Sequence, residues 1–334
     1  MRTPVILCVL LLLSIICSAI TINTAPVGDP GNAADTRYSS PGYGSVGYAY
    51  NIGKYEVTAG QYAEFLNAVA TTDLYGLYNT RMGDVSTYAG CNIQRSGSPG
   101  SYTYSVTADW ARRPVNYVSF WDACRFVNWM STGSTEIGAY TLGGYNDTDG
   151  RWIQRNSNWK WAVTNENEWY KAAFYKSGGT NAGYWDYATQ SNSAPVNDLG
   201  DPTDPGNNAT YYDGTDYTIG LPSWRTEVGS HENSESAYGT FDQGGNVWEL
   251  NEAIPYQDST TAYRGERGGG FYADLGDGTD MSYVLRAYHR TYMNPLDENF
   301  EGGFRVVQSV PEPASLVILA CGMIPILALR RRKA

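Results

Sequence analysis

An α+β fold, loop-rich with short mixed strands and few helices, is what this 334-residue sequence predicts. Three observations lead there. Glycine and tyrosine are abundant, with 37 and 28 copies, which suits turns and packed loops better than long helices. Apolar and polar residues alternate only over short runs, the period of half-buried strands. Three helix starts, each a capping residue ahead of an apolar helical face, are spread through otherwise irregular chain.

Taken in order, the first segment is Met1-Arg2 followed by an apolar run from Pro4 to Ile20, with Cys17 and Ala19 suitably placed for signal peptidase. Residues 1–19 read as a secretory signal peptide cleaved after Ala19. Lipidation at Cys17 is the competing reading, but Ser14-Ile15-Ile16 lacks the small residues expected before such a cysteine. Residues 20–46, rich in Gly, Pro and Asn, read as a flexible lead. Gly47 to Val57 then alternates as a strand. Thr58 with Gln61 makes a capping box, and Tyr62, Phe65, Leu66 and Val69 follow on one helical face.

Thr71 to Trp110 is a polar insertion around Cys91, expected as irregular loops and short strands. Ser119 caps a second helix with Ala123, Phe126, Val127 and Met130 inward and Cys124 alongside. Trp161 to Ala173 reads as a short strand running into a third helix. Glu166 and Glu168 in its first turn complement the helix dipole, a better account of the pair than acid–base chemistry. Ser177 to Ser236 is long loop, a kind of segment often held by bound calcium. The chain closes on the strand from Gly303 to Val307.

Beyond it come Val310-Pro311-Glu312-Pro313, an apolar run over 314–329, and Arg330-Arg331-Arg332-Lys333. A plain membrane anchor is one reading, with its basic cluster on the cytoplasmic side. Removing both ends leaves 18 basic against 33 acidic residues, a net charge of −15. So acidic a surface argues against nucleic acid or anionic lipid as partners and is compatible with bound cations. Cys8 and Cys17 lie in the signal peptide and Cys321 in the tail. Cys91 and Cys124 remain; in an oxidising compartment they make either one disulfide, the simplest expectation, or two buried free thiols.

No nucleotide-binding glycine loop, zinc motif or Ser/His/Asp signature occurs, and no catalytic or organic-cofactor residue is assigned. The strongest chemical signal is Asp242-Gln243-Gly244-Gly245-Asn246-Val247-Trp248-Glu249. Two carboxylates flank a turn whose carbonyls can point inward, and calcium takes six to eight such oxygens. A structural turn held by Asn246 and Trp248 is the alternative.

The blocks Glu56-Val57-Thr58, Glu166 to Ala173, Gly244 to Glu249, Gly268-Gly269-Gly270-Phe271-Tyr272 and Gly302 to Val307 resemble the formylglycine-generating enzymes of the sulfatase-modifying-factor family. The resemblance implies their variety of the C-type-lectin-like fold over residues 47–308. It implies structural calcium held by the side chains of Asp242 and Glu249 and the carbonyls of Gly245 and Val247. A second calcium site would draw on Asn208, Ala209, Asp213 and Asp216, though the spacing there departs from the family pattern. Active members carry copper on two cysteine thiolates that follow a Gly-Gly-Ser-Tyr block. Here Gly270 stands at the serine position, Ala273 at the first cysteine and Gly278 or a neighbour at the second, so no copper is expected. Residues 310–334 resemble a PEP-CTERM sorting tail, which implies membrane passage through 314–329, processing by an exosortase, and delivery to the outer envelope or beyond.

Two functional readings follow. One is an exported, non-catalytic binding or structural module, calcium-stabilised, whose partner is extracellular polysaccharide or an envelope protein. The other is an enzyme modifying an exported protein, by formylglycine formation or a divergent activity on the same scaffold.

Overall fold

A computed structural model of the chain describes residues 20–199, 206–272 and 276–310. The signal-peptide and sorting-tail segments, and Ala273, lie outside the described residues. No helix among the described residues is long and apolar enough to cross a membrane.

The strands are short: β1 Thr24–Val27, β2 Tyr50–Gly53, β3 Gln94–Ser96, β4 Thr103–Ser105, β5 Trp161–Val163, β6 Trp248–Gln257, β7 Ala262–Arg267, β8 Thr291–Met293, β9 Gly302–Phe304 and β10 Val306–Ser309. The helices are α1 Ala59–Val69, α2 Ala108–Ala111, α3 Phe120–Thr132 and α4 Glu166–Phe174. One sheet runs β1-β2-β10-β5, a second β8-β7-β6-β9, and β3-β4 is a separate pair. Among the described strands only β6 and β9 pair in parallel. The strand expected over 47–57 is confined to β2.

Each expected helix starts where its local chemistry places it. Thr58 and Gln61, Ser119 and Asp122, and Asn165 and Glu168 all form reciprocal capping boxes. The apolar faces of α1 and α3 meet through Phe65 and Phe126, ring centroids 5.3 Å apart, and Phe126 reaches Phe304 of β9 at 5.4 Å. This packing locks the closing strands, and with them Arg305, into the centre of the domain.

The lead over 20–46, expected to be flexible, is part of the fold. β1 pairs antiparallel with β2, and Asn32 and Asp35 are buried. Asn32 bonds Gly44 O and Tyr184 Oη, and Tyr170 Oη donates to Asp35 at 2.7 Å. Its Gly/Asn composition serves turns that hold hydrogen bonds rather than freedom of motion.

The expected Cys91–Cys124 disulfide is also corrected: both residues are free thiols, fully buried. They face different surroundings, Cys91 the Arg225 and Asn116 region and Cys124 the Arg264 and Glu252 region. Burial pushes both thiols upward, so neither is a ready thiolate.

Candidate functional site

The site predicted around Asp242 to Glu249 is a turn with left-handed backbone at Asp242 (φ 61°), Gly245 (φ 94°) and Asn246 (φ 66°). Glycine is required at 245, where a Cβ would stand 2.3 Å from Thr210 O. That close approach is a parallel bridge, with Asn246 N donating to Thr210 O at 2.8 Å. The two loops predicted from sequence therefore meet. Between them lies a polar cavity of about 10 Å3 lined by Asn208, His231, Ser234, Thr240, Asp242 and Gly244, near the minimum for one water or ion.

The second predicted set is split. Asn208 lines this cavity, whereas Ala209 packs in an apolar cluster with Tyr211 and Trp248. The Asp213 carboxylate closes its own turn by accepting from Thr215 N and Asp216 N, 2.8 Å each, and Asp216 is exposed.

Glu249 is fully buried with both oxygens engaged. Arg305 donates to them over 2.8–3.2 Å, and Trp169 Nε1 donates at 2.7 Å. Arg305 also lies 3.8 Å from Glu56 Oε2, and Asn246 Nδ2 donates to Glu56 Oε1 at 3.1 Å. One guanidinium thus faces three carboxylates, Glu56, Asp242 and Glu249. Burial, with the nearby charge of Asp242, holds Glu56 well above the usual carboxylate range, and burial pushes Asp242 up to about 6. Glu56 Oε2 is buried with no hydrogen-bond partner. Surplus negative charge, hard oxygen donors and an orphaned carboxylate oxygen fit a divalent hard cation such as calcium. Of the predicted set, Asp242 and the Gly245 and Val247 carbonyls would hold it, Glu249 only by giving up its Arg305 and Trp169 bonds, and Glu56 adds the orphaned oxygen that sequence reading left out. Both Glu56 and Arg305 lay inside the blocks that carried the family resemblance, so the signal was present.

A second feature opens on the surface. Tyr88, Tyr117, Leu221, Trp224, Tyr272 and Phe300 line a cleft of about 430 Å3. Tyr217 stacks on Tyr272 at 5.5 Å and 20°, while Trp224 and Phe300 meet Tyr272 edge-on at 5.9 and 5.4 Å. Such offset and edge-to-face contacts favour a rigid aromatic wall. Tyr117 and Trp224 both have φ of 57°, uncommon for bulky residues, and strain of this kind gathers at binding sites. The walls are held from beneath. Buried Arg225 donates to Ala89 O at 2.7 Å and Gly90 O at 3.0 Å, and Asn116 Nδ2 bridges Ala89 O and Phe300 O.

The family's serine position, Gly270, adjoins this cleft through Phe271 and Tyr272. A Cβ on Gly270 would come 2.6 Å from Glu301 Oε1 and 3.0 Å from Trp248. A serine there would have to move the Glu301 carboxylate, which accepts from Tyr272 N at 3.0 Å. Cys91 lies buried beyond Ala89 and Gly90, with its thiol pushed up by burial. His289 packs among Trp248, Tyr283 and Tyr288, and burial lowers its basicity. Arg286 and Arg290 pair with Asp186 and Glu166. Among the described residues, no group of three or more His, Cys, Asp and Glu side chains could itself hold a metal; the predicted calcium set relies on carbonyls as well.

The sulfatase-modifying factor enzyme 1-like domain matches residues 31–310. No curated protein sequence matches the chain. Among solved structures the chain is similar to CarF, with a TM-score of 0.53 and 19% identity over 87% of this chain and 100% of that one. It is also similar to Treponema denticola variable protein 1, at TM-score 0.49 and 16% identity over 85% and 94% of the two chains. PvdO from Pseudomonas aeruginosa follows at TM-score 0.45 and 17% identity over 86% and 92%. At these identities the likeness to CarF establishes the fold alone.

Proposed function

This chain belongs to the sulfatase-modifying factor enzyme 1-like family, and from that premise we propose that it is an exported, calcium-stabilised, non-catalytic binding module. Its ligand surface is the aromatic cleft, and its partner is a glycan of the outer envelope or extracellular polysaccharide matrix. One observation carries this reading. The cleft is walled by Tyr88, Tyr117, Trp224, Tyr272 and Phe300, and in the sequence Tyr272 is followed by Ala273 rather than the family's cysteine. Aromatic faces with hydroxyl-bearing edges suit the apolar faces and hydroxyl rims of sugar rings. Calcium at Asp242, Glu249, Gly245 and Val247 would be structural, relieving the unbalanced carboxylates beneath Arg305. Export and processing at the PEP-CTERM-like tail would place the domain outside the cytoplasm.

The test is direct binding of envelope or matrix polysaccharide to the protein, with Trp224→Ala as the control that removes one wall. Saturable binding lost in that variant supports the reading; no binding to any such glycan overturns it. On the same sample, a Cys-x-Pro-x-Arg peptide with copper distinguishes the enzymatic reading, because formylglycine in that peptide would require redox chemistry this chain lacks the thiols to support.

A further inference from the structure

We propose that the loop over 294–301, one wall of the aromatic cleft, is latched by a proton shared between Asp122 and Glu298, so that rising pH releases it. This loop joins β8 to β9 and carries Phe300 into the cleft. Its backbone is tied to the start of α3, where Phe120 N donates to Pro295 O at 3.2 Å and Tyr117 N donates to Asn299 O at 2.9 Å. At its centre the Glu298 carboxyl hydrogen-bonds the carboxyl of Asp122. Asp122 is 2% exposed and accepts from Ser119 N at 2.9 Å and Ser119 Oγ at 2.7 Å. Glu298 accepts from Asn79 Nδ2 at 2.5 Å. Asn79 caps the short 3-10 turn Thr80–Gly83, which leads into Tyr88 of the facing wall. The latch therefore joins both sides of the cleft.

Two carboxyls in hydrogen-bond contact cannot both ionise cheaply away from water, so one keeps its proton. The surroundings offer little else to neutralise them. Asp73, from the loop after α1, adds a third negative charge and is itself bonded to Leu77 N and Arg95. Tyr62 approaches from α1, and Arg125 of α3 bonds Glu136 and Tyr145 O, with its Nη1 unpartnered and its charge opposing the upward shift of Asp122 only in part. Among the described residues neither Asp122 nor Glu298 makes an ion pair. Burial and then Asp122 push Glu298 up to about 8, and burial pushes Asp122 up to about 6. A second acid answers to the same residues. Glu266 of β7 is 5% exposed, with Oε1 lacking a hydrogen-bond partner, and burial, Glu301 and Asp297 push it up to about 8.

All three shifts are upward. The latch is complete below the ordinary carboxylate range and is lost as pH rises through about 8. The consequence for a ligand rests on the cleft reading above; the latch itself does not. Hydrogen exchange of the full chain, corrected for the intrinsic pH dependence of the chemistry, tests it without any ligand. Protection over 294–301 is expected to fall by about ten-fold or more between pH 6 and pH 9 while β1, in the other sheet, is unchanged. Glu298→Gln, whose amide keeps a donor toward Asp122, is expected to hold its protection at pH 9. Equal protection of the wild-type loop at both pH values overturns the proposal, as does the same fall in Glu298→Gln; should that variant not fold, the wild-type profile alone decides. Glycan binding measured separately at pH 6 tells a failed latch from a failed cleft.

Discussion

The aromatic cleft and the Arg305 centre are built from opposite materials. The cleft gathers Tyr88, Tyr117, Trp224, Tyr272 and Phe300 on a surface with Leu221 65% exposed. The Arg305 centre gathers Glu56, Asp242 and Glu249 around one guanidinium that is fully buried, and seals them with Trp169 and Asn246. Apolar surface left in water is a cost unless a partner covers it. Buried charge is a cost unless its neighbours balance it. The first arrangement therefore points outward to recognition and the second inward to integrity, so damage to the two regions should be separable.

The largest effect expected is at the centre. Arg305→Met removes the guanidinium paired with Glu249 and should cost about 3–5 kcal/mol of stability in urea denaturation. A loss under about 1 kcal/mol would break the contrast. Calcium comes next. At a hundred-fold excess over its Kd it should stabilise by about 2.7 kcal/mol, an effect read as a Tm increase reversed by chelator and absent in Asp242→Ala. The same centre sets a pH dependence. Because Glu56 and Asp242 are shifted upward, their contribution to the stability of the chelated protein should be complete below the ordinary carboxylate range and be lost as pH rises through about 6. Thermal melts with and without calcium check this, calcium flattening the slope.

Trp224→Ala should do the reverse of Arg305→Met, weakening glycan affinity by about 2 kcal/mol while leaving the urea midpoint nearly unmoved. Calorimetric titration beside denaturation separates the two. The smallest effect is at the cysteines. Cys91 and Cys124 are free, so a reducing agent should leave Tm unchanged, and a clear fall would reinstate a disulfide.

Local chemistry was legible in the chain. Thr58 and Ser119 each announced a helix because a capping bond closes within three residues, and Asn165 closes the same bond at the third. The turn at Gly245 was legible for a similar reason, since its conformation is written in Asp242, Gly245 and Asn246 themselves. The lead was misjudged because its stabilising partners are remote: Asn32 meets Tyr184 and Asp35 meets Tyr170. The disulfide was misjudged because an even cysteine count says nothing about which groups surround each thiol.

What the sequence by itself determined is the scaffold: the capped helices, the short strands, the family blocks and the absence of cysteine at Ala273 and at Gly278 or a neighbour. Only the tertiary structure decided that Glu56 and Arg305 converge on Glu249, that Asn208 meets the Asp242 turn while Asp213 does not, and that five distant aromatics share one cleft. The physical reason is range. Caps and turns are chosen among bonds the chain can close within a few residues, whereas convergence over tens to hundreds of residues is chosen by the packing of α1 and α3 against β9 and by the chain entropy that packing must overcome.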